Sequence, residues 1–97
     1  MNRMDEVLNR LRTFKPRLQV EFKVREIEMF GSLARGTAGK DSDVDLLVEF
    51  EEGADLFDQM ALAEFLEGEL GRKVDVVSKG ALRKEFRDAV LAEAVPV

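Results

Sequence analysis

The 97 residues predict an α+β (α/β) fold, a small mixed β-sheet with helices packed on one face. Three observations lead there. Segments with helical spacing of apolar residues alternate with short segments of strand-like alternation. Their order is helix, strand, short helix, strand, helix, strand, helix. The strands gather acids on one face and aliphatic residues on the other, so only one face of the sheet invites helices. At this length a single domain over residues 1–97 is expected.

The first helix is marked by Met4, Val7, Leu8, Leu11 and Phe14, which recur on one face. Asp5 and Glu6 sit favourably near its start. Pro16 is expected to break this helix or to begin a second short one. Val24 to Phe30 reads as the first strand, with Ile27 and Met29 alternating against Glu26 and Glu28. Val24 falls on the acidic face by parity, which leaves the start of the strand open.

The strand runs into Phe30-Gly31-Ser32-Leu33-Ala34-Arg35-Gly36. Gly31 has no Cβ, so the backbone there can turn and approach a ligand closely. Ser32 adds a hydroxyl and an N–H. Leu33 to Gly36 can form one helical turn whose free N–H groups attract phosphate. Arg35 can fork two phosphate oxygens. Residues 37–41 form a polar loop in which Lys40 is either a triphosphate contact or a solvated lysine.

Asp43 to Phe50 is the second strand. Residues two apart on a strand share a face, so Asp43 and Asp45 project together and Val44, Leu46 and Val48 go to the other side. Two adjacent carboxylates raise each other's pKa, and a divalent cation removes that repulsion. Carboxylate oxygens suit Mg²⁺ or Mn²⁺. Glu51-Glu52-Gly53 ends the strand, and Asp55 can cap a helix from Leu56 to about Leu70. Phe57, Met60, Ala61 and Glu64 lie along one line of it. Leu62, Phe65, Leu66 and Leu70 form its broader apolar stripe, and Gly71 stands at its C-terminal stop.

Lys73 to Val77 is the third strand, where Asp75 stands alone among valines. An acid there is either paired or metal-bound, or it lies on an edge strand facing water. Two acids upstream favour the functional reading. Leu82, Phe86, Ala89 and Val90 mark a last amphipathic helix. Its basic side, Lys79, Arg83, Lys84 and Arg87, faces a triphosphate, an acidic partner or solvent. Pro96 prevents further helix.

Composition narrows the chemistry. The apolar fraction is 45% and the charged fraction 36%, ordinary values for a globular chain. No apolar run approaches the ~20 residues of a membrane span, and the first residues are charged, so a cytoplasmic protein is expected. There is no cysteine and no histidine, which excludes thiol catalysis and imidazole bases. The balance of 15 basic against 20 acidic residues, net −5, argues against stable nucleic-acid binding.

Taken together, Gly31-Ser32, ten residues, then Asp43-x-Asp45 resembles the signature of the nucleotidyltransferase superfamily with the DNA polymerase β-like core. Ala34-Arg35-Gly36 and Ser42-Asp43-x-Asp45-Leu46 resemble its smallest branch, the minimal nucleotidyltransferases (MNT). These are commonly antitoxin partners of HEPN-domain toxins. The resemblance covers nearly the whole chain.

It implies transfer of AMP from ATP to a hydroxyl, with Mg²⁺ as cofactor. Asp43, Asp45 and Asp75 would be the catalytic and metal-binding residues, for two ions of a kind typically ~3.5–4 Å apart. Asp43 and Asp45 would hold both ions, and Asp75 would ligate the one that activates the acceptor. Gly31, Ser32, Arg35 and Ser42 would bind the nucleotide. Little of the chain is left to enclose a small acceptor, so a second macromolecule is expected to bring it.

The MNT resemblance names that partner as a HEPN toxin modified on a tyrosine, in a toxin–antitoxin pair of type VII-like character. This chain contains no tyrosine, so such a modification forms in trans. Homo- or hetero-oligomers are both compatible with this. Two other readings stay open: a non-catalytic antitoxin that acts by binding, and a small-molecule nucleotidyltransferase.

Overall fold

The computed structural model describes residues 3–39 and 41–97. Lys40 therefore lies outside the described residues, as do Met1 and Asn2. The elements are α1 (Arg3–Glu21), β1 (Val24–Phe30), α2 (Gly31–Arg35), β2 (Val44–Phe50), α3 (Leu56–Leu70), β3 (Val74–Ser78), a 3-10 turn (Lys79–Ala81), α4 (Lys84–Glu93) and β4 (Val95–Pro96). The expected order is reproduced, with one short strand added at the end. No described helix is long and apolar enough to cross a membrane.

The four strands form one mixed sheet in the order β3-β2-β1-β4. β1 pairs antiparallel with β2 and with β4, and β2 pairs parallel with β3. The parallel pair is joined by α3, as a crossover requires. Val44, Leu46, Val48, Ile27, Met29 and Val74 point to one face and are almost fully buried there. Val7, Leu8, Leu11 and Leu18 of α1, Leu33 of α2, and Leu62 and Leu66 of α3 close over them as one core. Phe65 extends the core outward against Phe14 and Phe22.

Several local expectations need correction. Pro16 neither ends α1 nor starts another helix, because α1 runs through it to Glu21. A proline removes one N–H bond, here to the carbonyl of Arg12, but both residues are exposed and water can serve that carbonyl. Tertiary contacts hold the segment in place on either side. Leu18 is buried beyond the proline, and Arg12 and Lys15 donate to the carbonyls of Pro96 (3.2 Å) and Val97 (2.9 Å).

Val24 is buried, not on the acidic face. The pairing with β2 shifts register between Val24 and Glu26, so a bulge at Arg25 reverses the parity of the strand's first residue.

The one-face packing holds for α1 and α3. α4 contributes no residue to the core and lies toward the acidic side. Lys79, just ahead of it, reaches Glu28 (3.6 Å) and Glu49, and Glu93 at its end reaches Gly31. The apolar stripe expected on α4 is correspondingly open, with Phe86 58% exposed. Phe57 and Met60 of α3 are also exposed, outside its buried Leu62–Leu66 face.

Candidate active site

The turn after β1 is built around Gly31, which is buried and holds φ at +77°. That value disfavours any side chain. Space disfavours one more strongly. A Cβ at residue 31 would collide with Oδ2 of Asp45 and stand 3.0 Å from its Cγ. Glycine is needed here because the Asp45 carboxylate packs directly on the turn. The glycine–serine turn and the acidic strand are thus two sides of one contact. α2 follows at once and is closed by Gly36 at φ 78°, and the Thr37 N–H donates to the Ser32 carbonyl at 2.9 Å.

The loop leading to β2 is held at both ends. The Gly39 N–H donates to Ser42 Oγ at 2.7 Å, and Arg72 donates to the Ser42 carbonyl at 3.1 Å. Ser42 therefore shapes the loop, while its hydroxyl proton stays available as a donor. The Val44 N–H then joins the Lys73 carbonyl at 2.9 Å, which starts the β2–β3 ladder.

That ladder sets the acids. Asp45 of β2 and Asp75 of β3 are register partners in the parallel pairing, so both project from the same face of neighbouring strands. Such strands lie about 4.8 Å apart. Asp43, two residues before Asp45, stands just ahead of β2. β3 is an edge strand, so the two readings of Asp75 are not exclusive: it lies at the sheet's border and beside Asp45.

Burial first, then the charges of Asp75 and Asp43, hold the Asp45 carboxyl above the ordinary range. Glu93 pushes the same way, and Arg35 opposes them. Among the described residues no three acids are already gathered as a metal cage. The donor set nonetheless fits a hard divalent cation. It offers carboxylate oxygens alone, side by side, with a mutual repulsion that the protein's own cations leave uncancelled.

Arg35 is partly engaged in this arrangement, through one of its two terminal nitrogens. Its guanidinium donates to both oxygens of Glu93, at 3.1 and 3.2 Å, and the Gly31 N–H donates to the first of them at 3.1 Å. Glu93 has no counterpart in the sequence reading. It lies 62 residues from Gly31, and no spacing motif links the two. Arg72, which anchors the loop before Asp43, was equally invisible.

An acidic pair on adjacent parallel strands, packed on a glycine–serine turn, defines a nucleotidyltransferase-type core. The chain belongs to the nucleotidyltransferase domain family, whose sequence model matches residues 11–97. It is 45% identical over 94 residues to the protein adenylyltransferase MntA of Thermococcus cleftensis, a match covering 97% of this chain and 95% of the relative. A solved minimal nucleotidyltransferase superposes with a TM-score of 0.82 at 44% identity, covering 95% of this chain and 94% of the other. A more distant structure, an MNT antitoxin in complex with a tri-AMPylated HEPN toxin of Shewanella oneidensis, shares the fold. Its TM-score is 0.61 at 22% identity, over 96% of this chain and 66% of that one.

Proposed function

We infer that the protein is an adenylyltransferase antitoxin, moving AMP from ATP to a hydroxyl of a partner HEPN toxin. The single observation that carries this is the Asp45–Asp75 register beside Gly31. It supports a carboxylate site for divalent cations next to an anion-binding turn. The protein adenylyltransferase name of the Thermococcus relative and the AMP-modified toxin bound to the Shewanella antitoxin support the choice of AMP and of a protein acceptor.

Asp43, Asp45 and Asp75 would hold Mg²⁺. Such ions supply charge neutralisation and Lewis-acid activation when bound. The chain's own groups do the rest. The Gly31 N–H, Ser32 and Arg35 bind the β- and γ-phosphates and orient the α-phosphorus for in-line attack. A bond forms from the acceptor oxygen to that phosphorus as the bond to the β-phosphate oxygen breaks, and pyrophosphate leaves. The hydroxyl proton passes to a carboxylate oxygen of Asp75, since the chain has no histidine to take it. A tyrosine is the acceptor expected in the partner, and the cytoplasm the expected compartment.

The test is labelling of a HEPN-domain protein from the same genome, with Mg²⁺ and ATP radiolabelled at its α-phosphate. Wild-type protein should transfer label, and Asp43→Ala or Asp45→Ala should lower the rate by at least about a hundredfold, the scale on which removal of a transition-state electrostatic group acts. Both variants should keep the fold. Undiminished labelling by both overturns the site assignment. Toxin neutralisation by Asp45→Ala as complete as by wild type would favour an antitoxin that acts by binding.

A further inference from the structure

Glu93 is the last residue of α4, and Ala94 then turns the chain into β4 with extended angles. β4 fixes where Glu93 falls. Val95 pairs with Met29 in an antiparallel register. Two residues on from Met29 and two back from Val95, Glu93 comes opposite Gly31. Its carboxylate there accepts the Gly31 N–H and both Arg35 contacts. The side chain is only 29% exposed, while that of Arg35 is 53% exposed. A planar anion therefore sits on two of the donors that, in the function inferred above, hold the nucleotide's phosphates.

The geometry points to Glu93 as an internal surrogate for a nucleotide phosphate, one that occupies the Gly31 and Arg35 donors until triphosphate displaces it. The proposal rests on the site being a nucleotide site. Two physical consequences follow. Without nucleotide, Glu93 keeps the turn and the guanidinium arranged for an anion. With nucleotide, one carboxylate cannot share those donors with a polyanion beside Asp43, Asp45 and Asp75. It must leave, and the end of α4 must move with it or its side chain must swing aside. Occupancy of the site and the position of the Glu93 carboxylate are then coupled, and each must bias the other to the same extent.

The experiment is calorimetric titration of AMP-PNP with Mg²⁺ into wild type, Glu93→Gln and Glu93→Ala, each checked by circular dichroism and thermal melting. Glu93→Gln keeps the shape and an acceptor for the Gly31 N–H, but removes the charge that holds Arg35. Both variants should bind more tightly than wild type, by about tenfold for Glu93→Ala, the scale of one charge-assisted hydrogen bond released for the ligand. Glu93→Gln should fall between. If Glu93→Ala does not fold, the glutamine variant decides. Equal or weaker binding by a folded Glu93→Gln overturns the proposal and makes Glu93 a structural brace. Failure of wild type and both variants to bind AMP-PNP would instead strike the nucleotide site itself, and this proposal with it.

Discussion

Replacing Gly31 by alanine asks two things of the chain at once. The residue must hold φ near +77°, and its new methyl group must displace the Asp45 carboxylate. The first costs about 1–2 kcal/mol, and the second adds to it by moving an acid off the site. Gly36 supplies the control. It has nearly the same φ, 78°, but nothing stands within 4 Å of a Cβ there. Gly31→Ala should therefore lower the melting temperature more than Gly36→Ala, and it alone should also reduce AMP transfer. Equal effects of the two substitutions would show that the Asp45 contact is unimportant. The glycine was legible in the sequence as a turn, but its contact with Asp45 was not, because fourteen positions separate them.

α3 does for Asp75 what the turn does for Asp45. β3 is an edge strand, whose free backbone groups need partners. α3 provides them on either side of the acid. The Val74 N–H donates to Glu67 Oε2 at 3.0 Å, and Gln59 donates to the Val76 carbonyl at 3.0 Å. The helix is itself anchored by a reciprocal cap. The Asp58 N–H donates to Asp55 Oδ1 at 3.1 Å, and the Asp55 N–H donates to Asp58 Oδ2 at 2.9 Å. The amide of Asp55 holds the Asp58 carboxyl below its ordinary range. Asp55→Ala removes half of this box and should cost about 0.5–2 kcal/mol in urea denaturation. A loss below that range would mean that the packing of Leu62 and Leu66 alone fixes the helix. Asp55 as a cap, the span of α3 and its stop at Gly71 were all readable, since each depends on residues within one turn.

Across the whole molecule, charge is concentrated where the sheet gathers it. The chain carries a net −5, and the charges of Asp43, Asp75 and Glu93, from three stretches of sequence, all act on Asp45. The Asp45 carboxyl is raised above the ordinary 3.8 in the folded chain. A raised folded value means that the native state binds this proton more tightly than the unfolded state does. The stability associated with it is present below the ordinary carboxylate range and is lost as pH rises through the raised value. Asp45→Asn should therefore melt higher than wild type at neutral pH, and the gain should shrink as pH falls through the raised value and vanish well below the ordinary 3.8, where both states are protonated. Millimolar Mg²⁺ should narrow the same gap by stabilising wild type alone. A variant less stable than wild type at pH 7 would mean that Asp45 makes a favourable contact outweighing its repulsions.

What the sequence determined alone is everything that depends on neighbours along the chain. Periodicity assigned the main helices and three strands, and strand parity placed Asp43 and Asp45 on one face opposite Val44, Leu46 and Val48. The Gly31-Ser32 to Asp43-x-Asp45 spacing singled out the family and the candidate site. Tertiary structure decided which strand lies beside which, and so that Asp75 meets Asp45 at the sheet's border. It also carried α1 through Pro16, turned Val24 inward at a bulge, paired β4 with β1 and laid Glu93 on Gly31. These rest on contacts between residues far apart in the chain. A local pattern records which face of an element is apolar, but pairing register and long-range charge are settled only when the elements pack.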